Sequence, residues 1–275
     1  MKNTNWIRHG LLILGAVLFM LPFYWLVVTS LKSDIQIMNA KSLSEMLIPN
    51  PVLWSNYPRT LAYVDFGRYF LNTTIVTLLS ILGTTLASSV VAFSFARLHW
   101  PGRDLFFIVL LSTMMLPAQV TMIPLYLIFA KIGWVNTLKP LWVPAFFGNA
   151  FYIFLLRQFY KTIPQEFMDA AKLDGCTYFE MFRKVMFPLV RPAVISIIIF
   201  QFMAAWNDFL GPLIYIHDQL LMTLSQGLQA LQSSNAGEWS MLMAASTLMI
   251  LPVIIVFFFA QRYFIEGVVL TGLKE

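Results

Sequence analysis

Residues 162–192 read TIPQEFMDAAKLDGCTYFEMFRKVMFPLVRP, a polar stretch set between two long apolar runs. Its first half has the signals of a short helix: Thr162 with Gln165 three residues on as a capping pair, and Pro164 in the opening turn. Ala170 and Ala171 leave one side of that helix without bulk, and Gly175 suits a left-handed stop. The second half spaces Tyr178, Phe179, Phe182, Val185 and Met186 helically, with Glu180, Arg183 and Lys184 opposite. Pro188 is expected to end it. An amphipathic helix–turn–helix in this setting needs a partner or a lipid surface to cover its greasy face.

The flanking runs set the fold class. The chain has 275 residues, 59% of them hydrophobic and 11% charged, against roughly a quarter charged in soluble domains. Continuous rather than alternating apolar runs exclude a β-barrel. In a bilayer the backbone must satisfy its own hydrogen bonds, so the spans are helices. Runs long enough to cross fall near 10–31, 69–96, 105–131, 138–159, 190–216 and 240–262. The expectation is an all-α polytopic membrane protein with six transmembrane helices. The first run, behind Lys2 and Arg8, exceeds a signal-peptide core and no small-residue cleavage site follows, so it reads as a retained span. Three segments follow: 1–68, the first span and an external loop; 69–262, a transmembrane core containing the polar loop 162–192; and 263–275, a tail.

Lysine and arginine set the orientation. With the N-terminus inside, Lys2, Arg8, Arg97, Arg103, Arg157, Lys161, Lys172, Arg183, Lys184, Arg191, Arg262 and Lys274 are cytoplasmic. Lys32, Lys41, Arg59, Arg68, Lys131 and Lys139 are outside, four of these six in one long loop. Positive charge gathers on the cytoplasmic side, so both termini and the loop 162–192 are expected there. The net charge of +5 is read as this bias rather than as a nucleic-acid surface. Cys176, the single cysteine, leaves no internal disulfide and no multi-cysteine metal site.

Outside, residues 32–68 are rich in Ser, Asn and Pro with little periodicity. They either cover the outer mouth, meet an external partner or form a solvated connector. In 217–239, Leu220, Leu224, Leu228 and Leu231 are expected along one face of a non-spanning helix, with Gln226, Gln229 and Gln232 at three-residue spacing and a Ser-Ser-Asn-Ala-Gly hinge after it.

Prolines Pro117 and Pro124, flanked by Gln119 and Thr121, suggest a broken helix beside a polar path; membrane helices also tolerate proline without such a role. The polar groups placed within spans are mostly neutral: Asn72, Gln119, Asn149, Gln201 and Asn207. Asp208 is the one acid well inside a span, either lining a solute path or pairing with a neighbour. A lining of Gln119, Asn149, Gln201, Asn207 and Asp208 suits an uncharged polyhydroxylated solute, although such groups also join helices. There is no GxxxxGK[ST] loop for ATP, no HExxH and no GxSxG. A relay of buried ionisable groups, which an ion-coupled carrier needs, is also missing. Energy for uphill transport would then arrive from another chain, with 162–192 as its docking point.

Here the sequence resembles a known family. Asp169-Ala170-Ala171, then Asp174-Gly175, then Val185-Met186-Phe187-Pro188 look like the "EAA" loop of importer-type ABC permeases. Ala92-Phe93-Ser94-Phe95-Ala96-Arg97 looks like the end of the family's second span, and Trp206-Asn207-Asp208-Phe209-Leu210-Gly211-Pro212-Leu213 is similar to a stretch of the carbohydrate branch. Arg262-Tyr263-Phe264-Ile265-Glu266-Gly267 resembles the tail of the maltose-type second permease subunit. Asp169 departs from the usual glutamate by one methylene, and Cys176 from the usual alanine.

The resemblance implies a type I ABC importer permease architecture and a protein that is a transport subunit rather than an enzyme. It implies a carbohydrate, whether sugar, oligosaccharide or related polyol or glycerol phosphate, as solute. It implies a bacterial inner-membrane location and, as partners, a homologous permease subunit in a heterodimer, two ATPase subunits and an extracytoplasmic solute-binding protein touching 217–239. No cofactor is expected on this chain, with ATP and Mg held by the ATPase. Asp169, Ala170, Ala171, Asp174, Gly175 and Phe182 would form the ATPase-coupling contact, with Phe182 meeting either the ATPase or the permease's own helix ends. The competing readings are an ion-coupled secondary carrier and a membrane scaffold without a solute path.

Overall fold

A computed structural model of the protein describes the backbone of residues 3–234 and 238–272, and side chains over 8–233 and 238–261 together with Trp6. The Arg262–Gly267 tail motif and the 235–237 part of the expected hinge lie outside the described side chains. Regular structure among the described residues is helical throughout. The chain divides into two compact units, Met1–Arg68 with Leu224–Ile254, and Tyr69–Thr223 with Ile255–Glu275.

The first unit opens with α1 (Asn3–Ser30), whose apolar side chains, among them Leu11, Leu12, Phe19 and Trp25, stand exposed. In water that surface would be untenable; against lipid tails it is the expected one. Residues 32–63 are folded rather than a bare connector, in α2 (Asp34–Asn39), α3 (Leu43–Leu47) and α4 (Asn56–Tyr63). Helix ends hold them together, because terminal carbonyls and N–H groups need partners. Asn56 Nδ2 donates to the Ser30 and Lys32 carbonyls at the end of α1, each at 2.8 Å. Lys32, 2% exposed, donates Nζ to the Glu45 carbonyl at 2.9 Å and to the Met46 carbonyl at the end of α3. Asp34 accepts from Ser240 N at 2.8 Å and Ser240 Oγ at 3.0 Å, placing a negative charge at the start of the long last helix, which runs Trp239–Gly272. The helix before that one is Leu224–Ser234, shorter than expected: Leu220 falls in a separate turn, and Gln226 is buried along with Leu224 and Leu231.

The second unit is built on α5 (Phe66–Arg97). It packs a run of small residues against 139–149. Ser80 Oγ donates to the Leu141 carbonyl at 3.3 Å, and Asn149 N donates to Ser88 Oγ at 3.4 Å. A Cβ on Gly83 would lie 2.4 Å from Phe146 Cδ2 and within 2.8 Å of two more ring carbons, so glycine is required unless the ring moves. Small side chains let helix backbones approach closely where no hydrophobic force from water drives association.

Among the described residues, four single helices are long and apolar enough to cross a membrane, or up to six if each bent pair counts as one span. The expected third span is such a pair: α6 (Arg103–Thr113) and α7 (Ala118–Lys131) meet at 97°, broken ahead of Pro117. Pro124 does not break α7. The fourth expected span consists of α8 (Lys139–Trp142), a 3₁₀ turn to Phe147, and α9 (Ala150–Thr162). Helices α10 (Glu166–Leu173), α11 (Tyr178–Glu180) and α12 (Phe187–Leu189) make up the polar loop. The fifth expected span is α13 (Arg191–Trp206) followed by α14 (Leu210–Tyr215). At 16 residues, α13 reaches about 24 Å, short of the ~30 Å hydrocarbon core, and the bent pair long and apolar enough to cross joins it to Tyr178–Leu189.

Candidate functional site

The loop 162–192 is two helices fastened to the ends of α5 and α9. Thr162 closes α9, donating Oγ1 to the Phe159 carbonyl at 2.8 Å, so the capping pair expected from Thr162 and Gln165 does not form. A hydroxyl inside the last turn of a helix finds its own i−3 carbonyl first. The capping box lies instead at Thr177–Glu180: Glu180 N donates to Thr177 Oγ1 at 3.3 Å, and Thr177 N donates to Glu180 Oε2 at 3.1 Å. Such a cap contributes about 1 kcal/mol.

Helix α10 ends as expected at Gly175, whose φ is +77°. Gly175 N donates to the Lys172 carbonyl at 3.1 Å and Cys176 N to the Ala171 carbonyl at 3.0 Å, the paired bonds of a Schellman stop. The left-handed residue turns the chain back on itself, which is why glycine stands there. The second helix then departs from expectation. It passes through a π-helical turn, Met181–Met186, in which Phe187 N donates to the Phe182 carbonyl, and continues to Leu189. Pro188 therefore does not end the helix. Its ring would crowd the carbonyl four residues back, and a wide turn just upstream relieves that. The break comes at Val190, where α13 leaves at 79°.

One side of the loop belongs to the protein's own core. Met168, Ala171, Met181, Met186 and Val190 are buried with Tyr160, Leu156, Phe93 and Ile197. Ala171 is 5% exposed, so of the alanine pair only Ala170 faces outward. That is a correction: successive helical residues point about 100° apart, and the inward one is spent on packing. Phe182 rests on Phe93 of α5 at 5.4 Å and on Phe187 at 5.7 Å between ring centroids, a contact within the chain's own helix ends. Below it, the Arg157 guanidinium lies 3.8 Å over the Phe107 ring and donates Nε to the Phe95 carbonyl at 3.3 Å. Desolvated cation–π contacts of this kind contribute about 2 kcal/mol.

The other side is open. Asp169, Ala170, Asp174 and Gly175 are exposed there. Leu173 beside them is 89% exposed, and Tyr178 and Phe179 are 59% and 67%. Leu173 escaped the sequence reading. Its signal is an apolar residue out of register with the buried Met168 and Ala171 on an otherwise amphipathic helix.

The five path candidates are placed at helix breaks more often than along helix faces. Gln119 is exposed in the first turn of α7, just past the 97° bend. Asn149 caps α9, its Oδ1 accepting from Phe151 N at 2.9 Å and Tyr152 N at 3.4 Å. Gln201 lies within α13 and is partly buried. Asn207 closes α13, donating Nδ2 to the Met203 carbonyl at 2.9 Å. Asp208 follows in the gap before α14, where Gly211 N donates to Oδ1 at 3.1 Å. Asn149 and Asn207 thus satisfy orphaned helix ends, a local task that sequence spacing did not reveal.

Broken apolar helices with polar groups at the breaks, joined to an amphipathic helix–turn–helix whose outer side is uncovered, fit a membrane transport subunit. The chain belongs to the family of binding-protein-dependent transport system inner membrane components, which matches residues 85–269. It is similar to the arabinooligosaccharides transport system permease protein AraQ of Halalkalibacterium halodurans, with 30% identity over 99% of both chains. It is also similar to the diacetylchitobiose uptake system permease protein NgcG of Streptomyces coelicolor, with 31% identity over 93% of this chain and 84% of the relative. In fold it resembles a chain of a bacterial ABC transporter involved in the import of the acidic polysaccharide alginate. The TM-score is 0.82 over 96% of this chain and 97% of that one, at 23% identity.

Proposed function

We propose that this chain is one of two homologous permease subunits of an ATP-driven carbohydrate importer, and that residues 162–192 carry the closure of a separate ATPase into the spans. The observation behind the coupling role is the two-sided build of the loop: an inner side locked into the core through Ala171, Met168 and Phe182, and an outer side left open. A push on the outer side is then transmitted to α5 and α9 rather than absorbed, because close-packed interiors transmit displacement. On this reading Asp169 pairs with a basic group of the ATPase, Ala170 permits close approach, Asp174 and Gly175 shape the turn, and Leu173 inserts. Two ATPase chains hold ATP and Mg, and this chain holds no cofactor. A solute-binding protein delivers the solute from outside, and the bias of Lys and Arg supports cytoplasmic termini.

The carbohydrate assignment draws on the relatives named for arabinooligosaccharides and diacetylchitobiose. On this reading the solute path is lined by the amides Gln119, Asn149, Gln201 and Asn207, with Asp208 as its one acid. Mild-detergent purification of the tagged chain tests the importer reading. An ATP-binding chain and a second permease should copurify. Solute uptake by this chain alone, driven by an ion gradient, would overturn it. A thermal-shift screen of the cognate binding protein against mono- and oligosaccharides identifies the solute.

A further inference from the structure

Arg97 closes α5 and reaches across to the loop. Its Nη2 donates to the carbonyls of Tyr160 and Ile163 at the end of α9, and its Nη1 donates to Gln165 Oε1 at 2.9 Å. Gln165 stands at the start of α10 yet does not cap it. Its amide is used on both sides instead, with Nε2 donating to Asp169 Oδ1 at 3.3 Å. The orientation of that amide is fixed by chemistry. A guanidinium only donates and an ionised carboxylate only accepts, so the oxygen must face Arg97 and the nitrogen Asp169.

From this geometry we infer that Arg97 and Gln165 are positioning residues for Asp169, tying the acid of the coupling helix to the end of the span α5. The inference rests on the reading that Asp169 meets the ATPase. An exposed aspartate would otherwise sample several rotamers and lose that freedom on docking. Held by Gln165, it is presented in one orientation, and movement at the docking face is passed to the guanidinium along two hydrogen bonds. Lysine could not replace Arg97, since one ammonium does not span Gln165 and two carbonyls in fork geometry.

The test titrates the cognate ATPase subunits onto the permease pair in nanodiscs. Gln165 is exposed, so its variants should fold. Gln165→Met should weaken ATPase binding about 3- to 10-fold, the range of one or two hydrogen bonds. Asp169→Asn should weaken it comparably, and the double variant should be no weaker than Asp169→Asn alone, because the two act as one unit. Gln165→Glu keeps the bond to Arg97 but loses the donor to Asp169. It should therefore weaken binding while leaving the melting temperature of the permease pair native, which a purely structural role for Gln165 would not produce. Native binding by Gln165→Met, or full additivity with Asp169→Asn, overturns the positioning role. Native binding by Asp169→Asn overturns instead the coupling reading beneath it.

Discussion

Phe182 of the loop stands 5.4 Å, centroid to centroid, from Phe93 of α5, and this contact fastens the second loop helix to a span. Phe187 packs against Phe182 on the loop's inner side at 5.7 Å, while the exposed Phe179 ring lies 6.5 Å away between centroids. Phe182→Ala should destabilise the half-buried cluster by about 2–3 kcal/mol, below the range for fully buried phenylalanine. ATPase binding should survive in Phe182→Ala while solute uptake per ATP falls, and Phe182→Leu should recover most of both. A binding titration paired with vesicle uptake checks this; equal loss of binding and uptake would place Phe182 on the docking side.

At Gly175 the requirement is conformational, not steric. A Cβ there would meet nothing within 4 Å, but φ is +77°. Non-glycine residues in this region cost about 1–2 kcal/mol, asparagine least. The expected order of transport activity is Gly175 native, then Gly175→Asn, Gly175→Ala and Gly175→Val, with membrane insertion unchanged throughout. Uptake that follows side-chain size, with asparagine below alanine, would show that the space is occupied by a partner and that the turn is not the constraint.

Glu180 gives the loop a defined acid limit. Its carboxylate takes the Lys184 ammonium at 2.8 Å, then the Thr177 N–H and hydroxyl, which together hold its pKa at about 2 against an ordinary 4.5. A depressed folded-state value contributes stability above the unfolded pKa, and that contribution is lost as pH falls from about 4.5 through about 2. Both side chains are exposed, so salt should weaken the ion pair. Hydrogen-exchange protection at Thr177 and Glu180 should decline across that window in native protein. Glu180→Gln should show the same protection on both sides of it.

Gly211 limits what can surround Asp208. A Cβ at position 211 would lie 3.2 Å from Leu141 Cδ2 and closer still to Asp208 Oδ2. Gly211→Ala should therefore displace the carboxylate while leaving the loop untouched. If Asp208 lines the path, uptake should show a raised half-saturation concentration with native ATPase binding. Unchanged uptake kinetics would assign Asp208 to helix-end structure alone.

Much of the molecule is written in local sequence. Apolar length predicts the spans, because a bilayer admits only self-satisfied helices. Gly175 is legible because one backbone conformation demands glycine, and the docking loop is legible as an amphipathic island between apolar runs. Tertiary structure alone decided the rest. Ala170 and Ala171 look alike in sequence, and only the core around Tyr160 and Met186 shows which is spent on packing. Pro188 reads as a stop, yet a π-helical turn carries the helix past it. Residues 32–63 lack periodicity, yet fold because Lys32, Asn56 and Asp34 reach helix ends distant in sequence. In each case the deciding partner is a backbone carbonyl, an N–H group or a ring brought near by the fold. Local spacing in residues 162–192 determines that the chain turns there. What the turn is fastened to, through Phe182 to Phe93 and Arg97 to Gln165, is set by which helix ends meet in space.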